Sequence, residues 1–215
     1  TILIRGAATV PADDGVTVVR GDITDAAAIR RAVEGSEAVV AALGPRSNTL
    51  EAERALEVGM RNLVAAMTDV GLSRLVALSG AAVDVPGDAK PAIDRVLSRF
   101  VRLVARHVVG AKQREFAVFA ASDLAWTALR PPIVTDGEAR GYQLSGRLRP
   151  FARVTRADVA RALVDQLVDR SFIRAAPFVL PGGPSRDAAR PRGEPHPAAP
   201  RDAAGQRLDD PSPRQ

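Results

Sequence analysis

The sequence predicts an α/β fold: a doubly wound parallel sheet with helices on both faces, incomplete at its N-terminal side. Three observations predict it. From Val16 to Arg130 the chain alternates strand, helix, strand, helix, strand, helix, strand, which is the rhythm of a doubly wound nucleotide-binding sheet. The strand-like runs are short, apolar and bounded by glycine, as buried strands are. No Gly-rich phosphate loop appears anywhere. Such a loop should follow the first strand, because a pyrophosphate needs glycines for close backbone approach and a helix N-terminus for its charge. Either the front of the domain lies outside this sequence or the fold is altered at its active end.

The elements follow in order. Ile2-Leu3-Ile4 is strand-like and leads into Arg5-Gly6. Val16-Thr17-Val18-Val19, between Gly15 and Gly21, reads as a buried strand. Thr24-Asp25 offers an N-cap for a helix over Ala26 to Glu34, closed by Gly35. Ala38 to Leu43 is the next strand and ends at Gly44-Pro45. Leu50 to Val70 is a long helix whose Leu56, Met60, Leu63, Val64 and Met67 share one side, with Gly71 as its stop. The two methionines are core filler. Leu75-Val76-Ala77-Leu78 is a strand ending at Ser79-Gly80. A loop follows from Asp84 to Pro91. A helix then spans about Ile93 to Ala121, with a kink expected near Gly110. Trp126 to Leu129 is a strand stopped by Arg130-Pro131-Pro132. Thr135 to Pro150 reads as loop or short strands. Ala157 to Val168 is helical, with Asp158 placed well for the helix dipole. Phe178-Val179-Leu180 is a last short strand.

From Pro181 the composition changes to Pro, Arg, Ala, Gly and Asp. Such a segment buries too little surface to offset its ordering entropy. The expected organisation is therefore one incomplete domain over 1–180 and a disordered tail over 181–215.

Composition narrows the function. The 215 residues carry no cysteine, so neither a disulfide framework nor a thiolate metal site is available. That suits a cytoplasmic setting. The two histidines, His107 and His196, form no metal-ligand pattern, so no metal is expected. No apolar run approaches the roughly 20 residues of a membrane span. The net charge is +5, yet its arginines are dispersed, and a nucleic-acid footprint should be clustered. One ordered cluster, Arg95, Arg99, Arg102 and Arg106, shares a helix face and reads as a solvated surface. A small-molecule substrate is the expected partner.

Several segments resemble one family. Val18-Val19-Arg20-Gly21-Asp22-Ile23-Thr24-Asp25 is similar to the third-strand motif of atypical short-chain dehydrogenases. Ala42-Leu43-Gly44-Pro45 resembles their fourth-strand end, and Leu78-Ser79-Gly80 their fifth. Leu124 to Pro131 resembles their L-x-W-T-x-L-R-P signature. Val154 to Ala160 resembles their R-x-D-V-A helix start. The nearest group is the NAD(P)H-binding family that includes flavin/biliverdin reductase B and NmrA-like proteins. The match spans about residues 2 to 180, and five motifs in the right order agree with one another.

The resemblance makes Ile2-Leu3-Ile4 the family's second strand, so that the first strand, the glycine loop and the first helix have no counterpart here. A competing layout makes Ile2 to Ala8 the first strand. It would delete a crossover helix that the fold's connections need. In the strand order 3-2-1-4-5-6 the first strand lies in the middle. Without it two edges lose their partners, and each buried unpaired group costs about 1–3 kcal/mol against a stability of about 5–15 kcal/mol. Two outcomes are expected: further residues upstream, or direct closure of the flanking strands with damage to the cofactor cleft.

The resemblance also implies site residues. Arg5 stands where a guanidinium pairs with the 2′-phosphate of NADP. Asp22 and Ile23 match the adenine edge. Leu43, Gly44 and Pro45 lie where the cofactor approaches the backbone. Ser79 matches the superfamily's catalytic serine and Lys112 its active-site lysine, and Pro131 lies beside the nicotinamide. The superfamily's tyrosine, four residues before that lysine, is Val108 here, and the single tyrosine, Tyr142, lies in the late loop. His107 reads as structural. The implied chemistry is hydride transfer from NADPH (or NADH) to a flavin-like or quinone-like acceptor, with the proton drawn from water. The alternatives are a non-catalytic NAD(P) sensor of the NmrA-like kind and a member without cofactor binding.

Overall fold

Asp25 starts the first helix by accepting hydrogen bonds from the amides of Ala27 and Ala28, two of the donors that a helix start leaves without partners. That helix, α1, covers Ala26–Val33. Gly35 follows at φ +71°, a left-handed position that favours glycine. Thr49 caps α2, Leu50–Asp69, through the amide of Ala52, and Gly71 ends it at φ +72°. The third helix, α3, runs Arg106–Ala120. Its own cap residue, Ala105, makes no side-chain hydrogen bond. Asn48 from the loop before α2 serves instead, accepting from the amides of His107 and Val108. The last helix, α4, covers Arg156–Val168 and is capped by Thr155. In this computed structural model the described residues are 1–6, 15–86, 88, 105–149 and 151–182.

The strands are β1 (Ile2–Ile4), β2 (Val18–Arg20), β3 (Ala38–Ala41), β4 (Arg74–Leu78), β5 (Ala125–Leu129), β6 (Ile133–Thr135), β7 (Tyr142–Ser145), β8 (Arg153–Thr155) and β9 (Phe178–Pro181). β3, β4 and β5 form a parallel sheet in that order, with Leu75 between Val39 and Trp126. The chain before and into β9 extends it beside β5, where the amide of Ala128 donates to Ala175 and that of Arg130 to Pro177. β6 pairs parallel with β8, and β7 antiparallel with β9. This is the doubly wound parallel architecture expected. Side chains alternate between its faces, as strand geometry requires. Leu75, Ala77, Trp126 and Ala128 pack with Ile29, Met60, Met67, Phe116 and Phe119 of α1, α2 and α3. Val76, Leu129 and Val179 pack with Val159, Ala162 and Leu163 of α4.

β1 and β2 stand apart as a two-stranded parallel sheet. β1 therefore takes the place expected of it, beside the strand that ends in Arg20. Direct closure of β1 onto β3 does not occur. Among the described residues β1 is hydrogen-bonded only to β2 and β3 only to β4. A groove of about 380 Å³ lies between β1 and β3.

One expectation needs correction. β2 is not a buried strand: Val18 is 40 % exposed, and among the described residues β2 pairs with β1 alone. Gly110 lies inside α3. A Cβ there would come within 2.8 Å of Glu53 Oε1, so the glycine serves the contact between α2 and α3. The upstream part of that helix, most of the Arg95–Arg106 cluster and the tail beyond residue 182 lie outside the described residues. No helix among the described residues is long and apolar enough to cross a membrane, and no group of His, Asp and Glu there could hold a metal.

Candidate functional site

The carboxyl ends of β1, β2 and β3 lead into one polar pocket of about 490 Å³. Arg5, Asp22, Ile23, Gly44 and Pro45 all line it. Five of the expected cofactor residues, separated by up to 40 positions, thus share one wall. Their arrangement has local causes. Asp22 Oδ1 accepts from the amide and hydroxyl of Thr24 at 3.0 and 2.8 Å, and Arg5 Nη1 donates to Asp22 Oδ2 at 3.2 Å. The hydrogen bonds from Thr24, together with Arg5, hold the Asp22 carboxyl below its ordinary value, so it is a pure acceptor at neutral pH. The Arg5–Asp22 pair is exposed and correspondingly weak, which leaves both side chains able to turn to a ligand.

The turn at 22–24 is held from below by α2. Asn62 Nδ2 donates to Thr24 O at 3.0 Å. Gly59 lies so close to the Ile23 side chain that no Cβ fits between them. Gly44 is different. Nothing lies within 4 Å of where its Cβ would be, so the space before it opens into the pocket. Beside Glu51, the residues Arg46, Ser47 and Thr49 also line it at the N-terminus of α2. The sequence reading passed over these three. The Arg-Ser-Asn-Thr run just before a 20-residue helix was the signal available, because capping residues there also line whatever the helix end faces.

A second, largely apolar pocket of about 280 Å³ lies where β4, β5 and α3 converge. Pro131, Pro132, Ile133, Val83, Val108 and Lys112 are among its lining residues. Gly80 also lines it, again with open space where a Cβ would stand. Lys112 does not project freely into this space. Its ammonium donates to Leu43 O, to Leu78 O at 2.7 Å and to Glu115 Oε2 at 2.7 Å, which occupies the three donors a lysine has. It thereby fastens the carboxyl ends of β3 and β4 to α3. Burial pushes the Glu115 carboxyl up, and its Oε1 has no hydrogen-bond partner.

Ser79 follows β4, and its amide donates to Leu129 O at 2.8 Å. The residue is 8 % exposed and its hydroxyl has no partner. A buried hydroxyl left unsatisfied is costly, so it marks a place where a ligand group would be welcome. Ser79 lines neither pocket. Leu43 is set apart as well: its side chain lines the groove beside β3 and its carbonyl serves Lys112. Tyr142 donates to Asp165 Oδ2 at 2.6 Å, far from any role beside Lys112. His107 Nδ1 lies 2.8 Å from Glu53 Oε2, tying α3 to α2, as a structural histidine would.

One wall of the apolar pocket rests on a buried ion pair. Arg130, 2 % exposed, reaches Asp88 through both carboxylate oxygens at 2.6 Å. It also donates to Ala176 O and Val83 O, and its guanidinium lies 4.0 Å over the Phe178 ring. Val83 belongs to the pocket, so Arg130 anchors the loop after β4. The sequence signature around Trp126 contains Arg130, but nothing local in it points to Asp88.

Known structures share this fold. A short-chain dehydrogenase/reductase from Veillonella parvula, in complex with NADP, superposes with a TM-score of 0.65 at 22 % identity, over 84 % of this chain and 78 % of that one. ChuY, an anaerobillin reductase from Escherichia coli O157:H7, gives 0.63 at 18 % identity, over 85 % and 79 %. The oxidoreductase ylbE from Lactococcus lactis gives 0.62 at 16 % identity, over 87 % and 82 %. At these identities the likeness is one of fold. Family membership rests on the sequence: residues 1–170 match the NAD(P)H-binding family, and the chain belongs to it.

Proposed function

We propose that the chain is an NAD(P)H-dependent oxidoreductase, with NADP(H) as its cofactor, acting on a flavin-like or quinone-like acceptor. The observation that carries this reading is the pair of pockets at the carboxyl ends of the strands, the place where open α/β sheets bind ligands. One holds Arg5 and Arg46 together with Asp22 and Glu51, and the other is largely apolar. The residues fit a dinucleotide in three respects. Gly44 and Gly80 face open space, and the buried Ser79 hydroxyl lacks a partner.

In this reading Arg5 turns from Asp22 toward the 2′-phosphate, with Arg46 adding charge. Asp22 accepts from the adenine amino group and Ile23 packs on the ring. Leu43, Gly44 and Pro45 carry the backbone along the ribose. Ser79 donates to the nicotinamide amide or the acceptor, and Pro131 places backbone beside the ring. NADPH, when bound, supplies the hydride. Lys112 is a positioning residue: its bonds hold the ends of β3 and β4 in register with α3. No tyrosine stands at Val108 and no donor of Lys112 is left over, so the acceptor takes its proton from water.

The same saturation of Lys112 favours a second reading, a sensor that binds NAD(P) without turnover. Thermal unfolding with and without NADPH, followed by loss of NADPH absorbance with riboflavin or menadione, separates the cases. Cofactor at 100 times its dissociation constant stabilises by about 2.7 kcal/mol. A shift with turnover supports the reductase. A shift without turnover supports the sensor. A cooperative transition without a shift removes both.

A further inference from the structure

We infer, resting on the reductase reading of the chain, that the apolar pocket at the ends of β4 and β5 selects a quinone acceptor that carries a carboxylate, with Arg149 binding the carboxylate and Phe151 covering the ring. One turn supplies both groups. Leu148 and Ala152 are buried with Phe178 and Leu180 of β9. The Ala152 amide donates to Arg149 O at 3.3 Å, and Ala152 O accepts from the amide of Ile133 at 3.3 Å. Both ends of the turn are thereby fixed, while Arg149 and Phe151 between them are exposed and line the pocket.

Phe151 adopts φ +55°, a left-handed conformation that is an outlier for a bulky side chain. A glycine would take the same backbone without that cost. The turn instead keeps a phenyl ring that is 61 % exposed, at a pocket whose other walls include Val108, Pro131, Pro132 and Ile133. Strained residues of this kind concentrate at ligand clamps and active sites. A flat ring in the pocket covers Phe151 and gains the offset or edge-on contact that aromatic pairs prefer.

Charge narrows the choice further. Among the described residues no acid lines the pocket and two cations do, Lys112 and Arg149. Lys112 has spent its three donors on Leu43, Leu78 and Glu115. The Arg149 guanidinium makes no ion pair or hydrogen bond among the described residues, so its donors remain for a ligand. A guanidinium matches a carboxylate through two parallel hydrogen bonds. The pocket, about 280 Å³, stands at the small end of the about 300–1,000 Å³ usual for ligand sites. One or two fused rings suit that space better than a long chain of rings. In the reaction the quinone takes a hydride from NADPH and a proton from water, giving hydroquinone, NADP⁺ and hydroxide, and the carboxylate is unchanged.

The test uses the full chain and two matched probes, the propanoate-bearing derivative of menadione and the methyl ester of that acid. Calorimetric titration with and without NADP⁺ reads binding, and loss of NADPH absorbance reads turnover. The acid should bind about tenfold more tightly than the ester, the worth of one charged hydrogen-bonding partner, and added salt should narrow the gap. Arg149→Gln should close the gap by weakening the acid alone. Arg149→Lys, which keeps the charge without the planar fork, should recover part of it. Phe151→Gly should weaken both probes about fivefold, as loss of an aromatic contact does, while the melting temperature holds or rises because the left-handed residue is now glycine. A gap in binding without turnover supports the carboxylate site and removes the reductase reading alone. Equal binding of acid and ester, binding of neither, or a gap that survives Arg149→Gln overturns the inference, whether or not NADPH is consumed.

Discussion

Arg5 and Arg130 show how differently two arginines of one chain are used. Arg5 is exposed and its partner Asp22 is exposed with it, so the pair adds little stability and is open to exchange for a ligand. Arg5→Ala should weaken NADPH binding about ten- to a hundredfold, the worth of one charged hydrogen-bonding partner. NADH binding should change little, and fluorescence titration of both cofactors checks the difference. Arg130 is buried and fully engaged. Asp88→Ala would leave its charge without compensation, and urea unfolding should show a loss of about 3 kcal/mol. Asp22 was legible from sequence because its role is local: Thr24, two residues on, holds its carboxylate. Asp88 was not, because its partner lies 42 positions away.

At the scale of elements, the contact of α2 with α3 decides the most. Glu53 accepts from Arg114 Nε at 2.7 Å and meets His107 Nδ1 at 2.8 Å, and Gly110 leaves room for its carboxylate. Alanine would raise helix propensity by about 1 kcal/mol. A Cβ at 2.8 Å from a carboxylate held on two sides opposes that gain. Gly110→Ala should therefore be net destabilising by about 1 kcal/mol, and pairing it with Glu53→Ala should recover much of the loss in a double-mutant cycle. The hydrogen bond from His107, reinforced by Arg114, holds the Glu53 carboxyl below its ordinary 4.5. A carboxyl lowered in the folded state contributes stability that is present above the unfolded value and is lost as pH falls through the folded one. The stability gap between the parent and Glu53→Gln should thus be full at neutral pH and close below about pH 4.5, as urea midpoints across pH will show. The extents of α1 and α2 were readable from caps and stops such as Asp25, Gly35 and Gly71, and the start of α4 to within a residue from Asp158 in its first turn. The packing role of Gly110 was not, since only the neighbouring helix explains that glycine.

For the whole molecule, stability should be uneven. β4 and β5 sit between helices on both faces, and Leu75, Val76, Ala77 and Ala128 are fully buried. β1 and β2 form a two-stranded sheet with Ile2 and Val18 exposed, and such pairs are marginal by themselves. Native-state hydrogen exchange should find the β4 and β5 amides opening only with global unfolding, and the β1 and β2 amides opening at much lower cost. Equal protection of both sheets would contradict this division.

The sequence by itself determined the order and type of the elements from β1 to β5, the helix α4, the α/β class and the family, because each depends on local periodicity, caps and motif spacing, whereas β6, β7 and β8 carry too short a pattern to be assigned. It also placed Arg5, Asp22, Ile23, Gly44 and Pro45 near strand ends, and strand ends of a parallel sheet converge on one rim. Only the tertiary structure decided that these five share a pocket while Ser79 lies buried apart from it, that Lys112 spends its donors on Leu43, Leu78 and Glu115, and that β1 and β3 remain separated. Those outcomes depend on contacts between residues tens of positions apart, and the free energies of such contacts have no signature in the local pattern of either partner.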